Sequence, residues 1–308
     1  MKILSETSEV CAHKSVLIDE VIEHLDIKPG GVYIDVTFGA GGHSRAILQK
    51  EPNCRLIAFD WDFKSIEQYA KPLEDEFPGR FKVIWGNFAH LYLLLKKEKI
   101  TRVDGILADF GTSQMQIKSG AGFSLYVDSP LDMRMSPGHQ KITAEIVLRE
   151  STEKKLETIF KEYGQEKYAR KIAKAIVERR VKKRFQKTKD LTLCIEEAVG
   201  KKVFGKIHPA TKVFQALRIY VNRELENIHS FLCATKKILA HNGTLVCISF
   251  HSLEDTIVKQ FLQQEEREGG FIISTKRVVT PADAEIELNA ASRSSKLRAA
   301  RRVIDKNI

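Results

Sequence analysis

Four apolar runs of strand length, "GVYIDV", "RLIAFDW", "FKVIWGN" and "VDGILADF", succeed one another with helical stretches such as "GHSRAILQK" and "FKSIEQYAKPLEDEF" between them, and after Asp109 the alternation stops. Parallel strands need long crossovers, so this pattern specifies βαβ units and an open sheet buried on both faces. A loop rich in Gly, Ser, Pro and Met then runs to about Pro137, and from there to about Asn227 almost everything reads as helix. In "ATKKILAHNGTLVCISF" the α/β pattern resumes as a helix, an Asn-Gly stop and a buried strand. "SLEDTIVKQFLQQEERE" is another helix, and "GFIISTKRVV" and "KLRAARRVI" read as final strands. The expected architecture is α/β: a Rossmann-like sheet interrupted after its fourth strand by an all-helical insertion. We place the core at residues 1–113 and 216–308 and the insertion at 114–215.

The first strand runs into "IDVTFGAGGHS", with three glycines in four positions. Loop glycines let a ligand approach the backbone closely. A nucleoside triphosphate cradle needs G-x-x-x-x-G-K-[ST], and no Lys-Ser or Lys-Thr follows here. A dinucleotide fingerprint counted from Gly39 meets Ser44 where its last glycine belongs, a partial match. Counted from Asp35, the stretch fits an S-adenosylmethionine loop, D-x-G-x-G-x-G, with Thr37 at the first glycine. The acid separates these readings, because a carboxylate at the loop mouth repels pyrophosphate but neutralises the ammonium of a methionine moiety, directly or through water. The cofactor's own carboxylate then meets N–H groups of the loop and the helix start.

On this reading Asp35, Gly39 and Gly41 belong to the cofactor site. Asp60, ending "LIAFD", accepts hydrogen bonds from the ribose hydroxyls, a role that NAD enzymes also give to an acid there. Phe88 in "WGNFAH" covers the adenine or is plain core packing. Asp109 closes the fourth strand at the carboxyl edge, where ligands of open α/β sheets bind.

The window Lys167–Lys189, "KYARKIAKAIVERRVKKRFQKTK", holds eleven Lys/Arg against the single acid Glu178, a net +10 equal to the excess of the whole chain. "SRSSKLRAARR" forms a smaller basic cluster. Such clustering is the footprint of a polyanion-binding surface, the ordinary alternative being a solvated helix face. Lys171, Lys174, Arg179 and Arg180 recur at helical spacing and are the candidate phosphate contacts, which would position RNA without reading its sequence.

Taken together, "HKSVLIDEVI", "YIDVTFGAGGHSRAIL", "GFSL" with "SPLDMRM", "YGQEKYARKIAKAIVERR", "HPATKVFQALRIYVNRELE", "SFHSLEDTIVKQF" and "RSSKLR" make the chain similar to the ribosomal RNA small-subunit methyltransferase H family over nearly its whole length. The resemblance implies a class I S-adenosylmethionine-dependent methyltransferase fold and methylation of N4 of a decoding-site cytidine in 16S ribosomal RNA. It also implies cofactor contacts at Gly41, Gly42, His43, Asp60, Phe88, Asp109 and Gln116. The partner it implies is small-subunit ribosomal RNA or the assembled 30S subunit; a homodimer is left open. Three segments depart from the family's usual form: "DFGTSQMQ" stands for D-L-G-V-S-S-P-Q, Trp61 for an Arg, and "NAASRSS" for N-P-R-A-R-S. Two competing classes are a non-catalytic RNA-binding protein on a Rossmann-like scaffold, against which Asp35, Gly39, Gly41 and Asp60 argue, and an NAD-dependent oxidoreductase, against which Asp35 and the basic insertion argue.

Asp109 is the candidate catalytic residue. A cytosine amine is a poor nucleophile, and it needs in-line placement and acceptors for its protons more than a strong base. In "SFHSLED", Ser252 reads as a helix N-cap with first-turn acids behind it, leaving His251 as the substrate-side candidate. His208 before Pro209 reads as a helix-entry residue. The five cysteines are scattered, with no CxxC or Cys/His cluster, so neither a zinc site nor a disulfide framework is expected, and no metal is assigned. No stretch has the ~20 apolar residues of a membrane span, nor does the N-terminus resemble a signal peptide, which makes the cytoplasm the expected compartment.

Overall fold

The computed structural model describes residues 15–111, 121–200 and 208–303. Its strands are β1 Val32–Asp35, β2 Arg55–Asp60, β3 Phe81–Trp85, β4 Val103–Asp109, β5 Leu239–Ser249, β6 Phe271–Ile273 and β7 Lys296–Arg302. They form one seven-stranded sheet in the order β3-β2-β1-β4-β5-β7-β6. The first five run parallel, and β7 enters antiparallel between β5 and β6. The order reverses between β1 and β4, which opens a crevice at their carboxyl ends. Asp35, Asp60 and Asp109 each terminate a strand on that edge.

Around the sheet lie α1 Ile18–Leu25, α2 Gly42–Lys50, α3 Phe63–Glu76 and α4 Leu91–Lys97. Between β4 and β5 come α5 Ala144–Glu150, α6 Glu153–Glu162, α7 Ala169–Lys182, α8 Thr188–Val199, α9 Ala210–Asn222 and α10 Glu224–Ile238, with no strand among the described residues of that stretch. The helices α11 Ser252–Arg267 and α12 Asp283–Leu288 follow β5 and β6. None is long and apolar enough to cross a membrane.

Three apolar clusters hold the molecule. Two cover the faces of the sheet, one around Phe59, Phe231 and Ile106, the other around Tyr33, Phe38 and Leu56. The third is confined to residues between Leu131 and Val221 and is built on Phe160, Ile172, Ile195 and Leu217. The insertion therefore has a core of its own. Helix α7 shows how: Ile172, Ala173 and Ile176 are buried in that cluster, while Arg170, Lys171 and Lys174 face outward.

Two expectations need adjustment. Helix α9 packs into the third cluster through Ala216, Leu217 and Val221, so a boundary at 215/216 cuts a helix. The chain breaks instead at Arg223, whose left-handed backbone (φ 51°) separates α9 from α10. The Asn-Gly pair is no helix stop, since α10 ends at Ile238 and β5 begins at Leu239. Asn242 (φ 64°) lies where the β4–β5 register jumps from Val103↔Leu239 to Gly105↔Thr244, a bulge that spends the turn chemistry inside the strand.

Candidate functional site

A cavity of about 570 Å³ opens at the carboxyl edge, between the sheet and the helical insertion. Thr37, Gly39, Asp60, Phe88 and Asp109 line it from the sheet side, Phe123, Met133, Phe214 and Arg218 from the insertion side.

Gly39 (φ 54°) needs the left-handed backbone, and a Cβ there would meet nothing closer than the Thr37 carbonyl at 3.9 Å, so its surface is open to a ligand. Its N–H donates to Asp60 Oδ2 at 2.7 Å, and Asp62 N–H donates to Asp60 Oδ1 at 2.7 Å. Each Asp60 oxygen keeps lone-pair capacity for hydroxyl donors. Burial pushes the Asp60 carboxyl up to about 7, against the pull of those two N–H groups.

Asp35 is placed otherwise than expected. It is buried behind the loop and absent from the cavity wall, accepting from Ser44 Oγ at 2.7 Å and from Thr37 N–H at 3.1 Å. Its donors are Thr37 of the loop and Ser44 in the first turn of α2, so it braces the glycine turn. Gly41 and Gly42 also lie off the cavity wall. A Cβ on Gly41 would strike the Phe38 ring at 2.9 Å, and one on Gly42 the Ser15 hydroxyl, so these glycines serve close packing. Gln116 lies outside the described residues.

His43 does line the cavity. Its Nε2 donates to the Val16 carbonyl at 2.8 Å, which turns Nδ1 toward Asp109 Oδ2 at 3.8 Å. Asp109 Oδ1 is buried with no hydrogen-bond partner. Burial raises the Asp109 carboxyl to about 6; His43 opposes the shift, and the charge of Asp35 reinforces it. Phe88 lines the cavity while packing on Phe110 and Phe231 at 5.9 and 5.7 Å between ring centres. Trp61 also lines the cavity, and its ring faces His139 of the inserted segment at 6.5 Å.

The loop after β5 corrects the cap assignment. The N-cap of α11 is His251, whose Nδ1 accepts the Glu254 N–H at 3.4 Å, while Glu254 Oε2 accepts from Phe250 N–H at 2.8 Å. Ser252 instead donates to Gln165 at 3.2 Å. The i, i+3 spacing of a capping box in "HSLE" was the available signal, hidden because His is a rare N-cap. His208 stands one residue before Pro209, the N-cap of α9, its Nδ1 accepting from Ala210 N–H at 3.1 Å.

Arg218 and Glu224, which the sequence does not single out, line the same cavity together with Glu254 of "SFHSLED". Arg218 grips Glu224 through two hydrogen bonds of 3.0 Å. Glu224, His251 and Glu254 bring ligand atoms within 4.8 Å of one another, but the guanidinium already supplies the positive charge at Glu224. Of the four candidate phosphate contacts, Lys171 and Lys174 are exposed, Lys174 making only a loose 3.8 Å approach to Glu178. Arg179 is paired with Glu197 at 2.7 Å. Arg180 donates to the carbonyls of Leu148 and Ser151 at 2.8 and 2.6 Å, closing the end of α5, and this takes it out of the phosphate-binding set.

A parallel sheet with an antiparallel seventh strand, a glycine loop after β1 and acids at the ends of β2 and β4 define a class I methyltransferase. The chain belongs to the MraW methylase family, whose family model matches residues 10–303. It is 43% identical to the ribosomal RNA small subunit methyltransferase H of Sulfurihydrogenibium sp., covering 94% of this chain and 99% of that one. It is 41% identical to the protein of that name from Carboxydothermus hydrogenoformans (95% and 98% covered) and 40% identical to that from Rickettsia conorii (96% and 99%).

Proposed function

We propose that this protein transfers a methyl group from S-adenosylmethionine to N4 of a decoding-site cytidine in 16S ribosomal RNA, acting in the cytoplasm on the RNA or the assembled 30S subunit. The observation that carries this reading is Asp109 Oδ1, a buried acceptor without a partner at the carboxyl edge of β4, inside the cavity. A buried carboxylate oxygen left unpaired is costly, and a donor arriving with a ligand removes that cost.

The residues present suit the cofactor: the open face of Gly39, the lone pairs of Asp60 and the ring of Phe88 share one wall. Asp60 is the residue for the ribose hydroxyls, Phe88 for the adenine face and Gly39 for the backbone contact. When bound, the cofactor supplies an electrophilic methyl carbon on a sulfonium. Asp109 Oδ1 accepts one N4–H and so orients the nitrogen lone pair. Bound there, S-adenosylmethionine would supply the methyl group to N4, leaving the amine cationic. Its surplus proton leaves through Asp109 or to solvent, needing no strong base. Lys171 and Lys174 on α7 are the phosphate contacts of this reading, about a polyanion held by the insertion.

The test is incubation with methyl-labelled cofactor and small subunits lacking the modification, followed by digestion to nucleosides. Label in N4-methylcytidine from one position is the expected result. No label in RNA, with no cofactor binding by calorimetry, overturns the reading.

A further inference from the structure

Besides Asp109 Oδ1, two lining residues carry buried polar atoms without a partner, Trp61 Nε1 at the end of β2 and His251 Nε2 beyond β5. His251 Nε2 is buried and makes no hydrogen bond, although it lies 3.1 Å from Glu254 Oε1, because the carboxylate is out of line with the N–H. The cap fixes what this atom is: Nδ1 accepts the Glu254 N–H, so the neutral ring carries its proton on Nε2. Asp109 and His251 also come from adjacent strand ends, Asp109 pairing with Ile248 three residues before His251. The Glu254 charge is felt at Asp109, and both Asp109 and His251 line the cavity. The cavity lining thus offers a lone acceptor at the end of β4 and a lone donor beyond the end of the neighbouring β5.

We infer that Asp109 Oδ1 and His251 Nε2 together read the target base as cytosine, the first accepting from the N4 amine and the second donating to ring N3. Cytosine presents a donor beside an acceptor on that edge. Uracil presents O4 and N3–H there, which sets an acceptor against a carboxylate and a donor against a donor. The pair therefore selects by mismatch as well as by match. His251 is held for this task by Glu254, whose other oxygen is bound to the Phe250 N–H. The inference rests on the N4 reading above.

The test uses small subunits reconstituted with 16S RNA carrying either cytidine or 3-deazacytidine at the target position. The second replaces the N3 acceptor with C–H and keeps the amine. With the wild-type protein, 3-deazacytidine should lower kcat/KM for methyl transfer by about 10- to 100-fold. In His251→Asn, which keeps a good N-cap residue but is too short to reach the base, the same replacement should cost under about 3-fold, the donor already being gone. His251→Gln, which restores an N–H of longer reach, should recover part of the wild-type sensitivity. Equal rates of the wild-type protein on both RNAs overturn the inference while leaving N4 methylation standing. Absence of any N4 label on the cytidine RNA overturns the parent reading instead.

Discussion

The Thr37 hydroxyl accepts the backbone N–H of Asp109 at 2.7 Å, tying the glycine loop of β1 to the end of β4. The same residue donates its own N–H to Asp35 at 3.1 Å. Thr37 stands where a generic S-adenosylmethionine loop has glycine, and the structure explains the exchange: a glycine leaves the Asp109 N–H without this partner. Thr37→Val keeps the shape and removes the hydroxyl, so it should cost about 1 kcal/mol of stability and slow methyl transfer roughly 10-fold by loosening Asp109. Thr37→Ser should restore both. Thermal melting and single-turnover rates of the three proteins check this, and a Val variant with unchanged rate would sever the loop from the chemistry.

On the proposed mechanism Asp109 acts as a carboxylate, and burial raises its carboxyl to about 6. The ionised fraction, and with it the single-turnover rate, should rise with pH through about 6 and level off above. Asp109→Asn keeps an acceptor oxygen but no charge, so the rate should fall roughly 100-fold and the step near pH 6 should vanish. Rates between pH 5 and 8 on saturating substrate decide between these outcomes. Full activity and cofactor affinity in the Asn protein would remove Asp109 from its role.

Asp60 carries a linkage signature. Its carboxyl sits at about 7 in the folded protein against 3.8 for an ordinary aspartate. The folded state therefore binds the proton more tightly than the unfolded chain, and stability is lost as pH rises from about 4 to about 7. Asp60→Asn cannot titrate, so without cofactor its Tm should lose this fall between pH 4 and pH 8, while one of the two N–H groups that Asp60 accepts then faces the amide NH2. Its affinity for S-adenosylmethionine should fall, because an amide oxygen accepts ribose hydroxyls less strongly than a carboxylate. Calorimetric melting with and without cofactor separates the two effects.

The strands of the sheet are legible because β1, β2 and β4 are continuous apolar runs, and only a sheet covered on both faces buries such runs. Asp60 and Asp109 follow from strand ends alone. The orientation of a carboxylate is a different matter. Asp35 has the spacing of a ligand but finds Ser44, nine residues on, as its partner across the loop, a contact the D-x-G-x-G pattern does not encode. Arg218 and Glu224 escape notice for the complementary reason: they sit on α9 and α10, helices whose periodicity describes the buried face and says nothing of which polar residues turn toward the sheet.

The basic window separates in the same way into residues that face solvent and residues that hold the insertion together. Lys171 and Lys174 are exposed on α7. Reversing both to Glu should weaken RNA binding and reduce the slope of log K against log salt by roughly 1 per lysine removed from a phosphate, with the melting temperature unchanged. Arg180→Ala should do the opposite. Its guanidinium holds the Leu148 and Ser151 carbonyls, and losing those charge-assisted bonds should cost about 1–3 kcal/mol while the salt slope stays as in the wild type. Binding isotherms at several salt concentrations, with melting curves for each variant, read both quantities. A lysine pair with the wild-type slope would move the RNA path off α7, and an Arg180→Ala protein as stable as wild type would free that arginine for RNA after all.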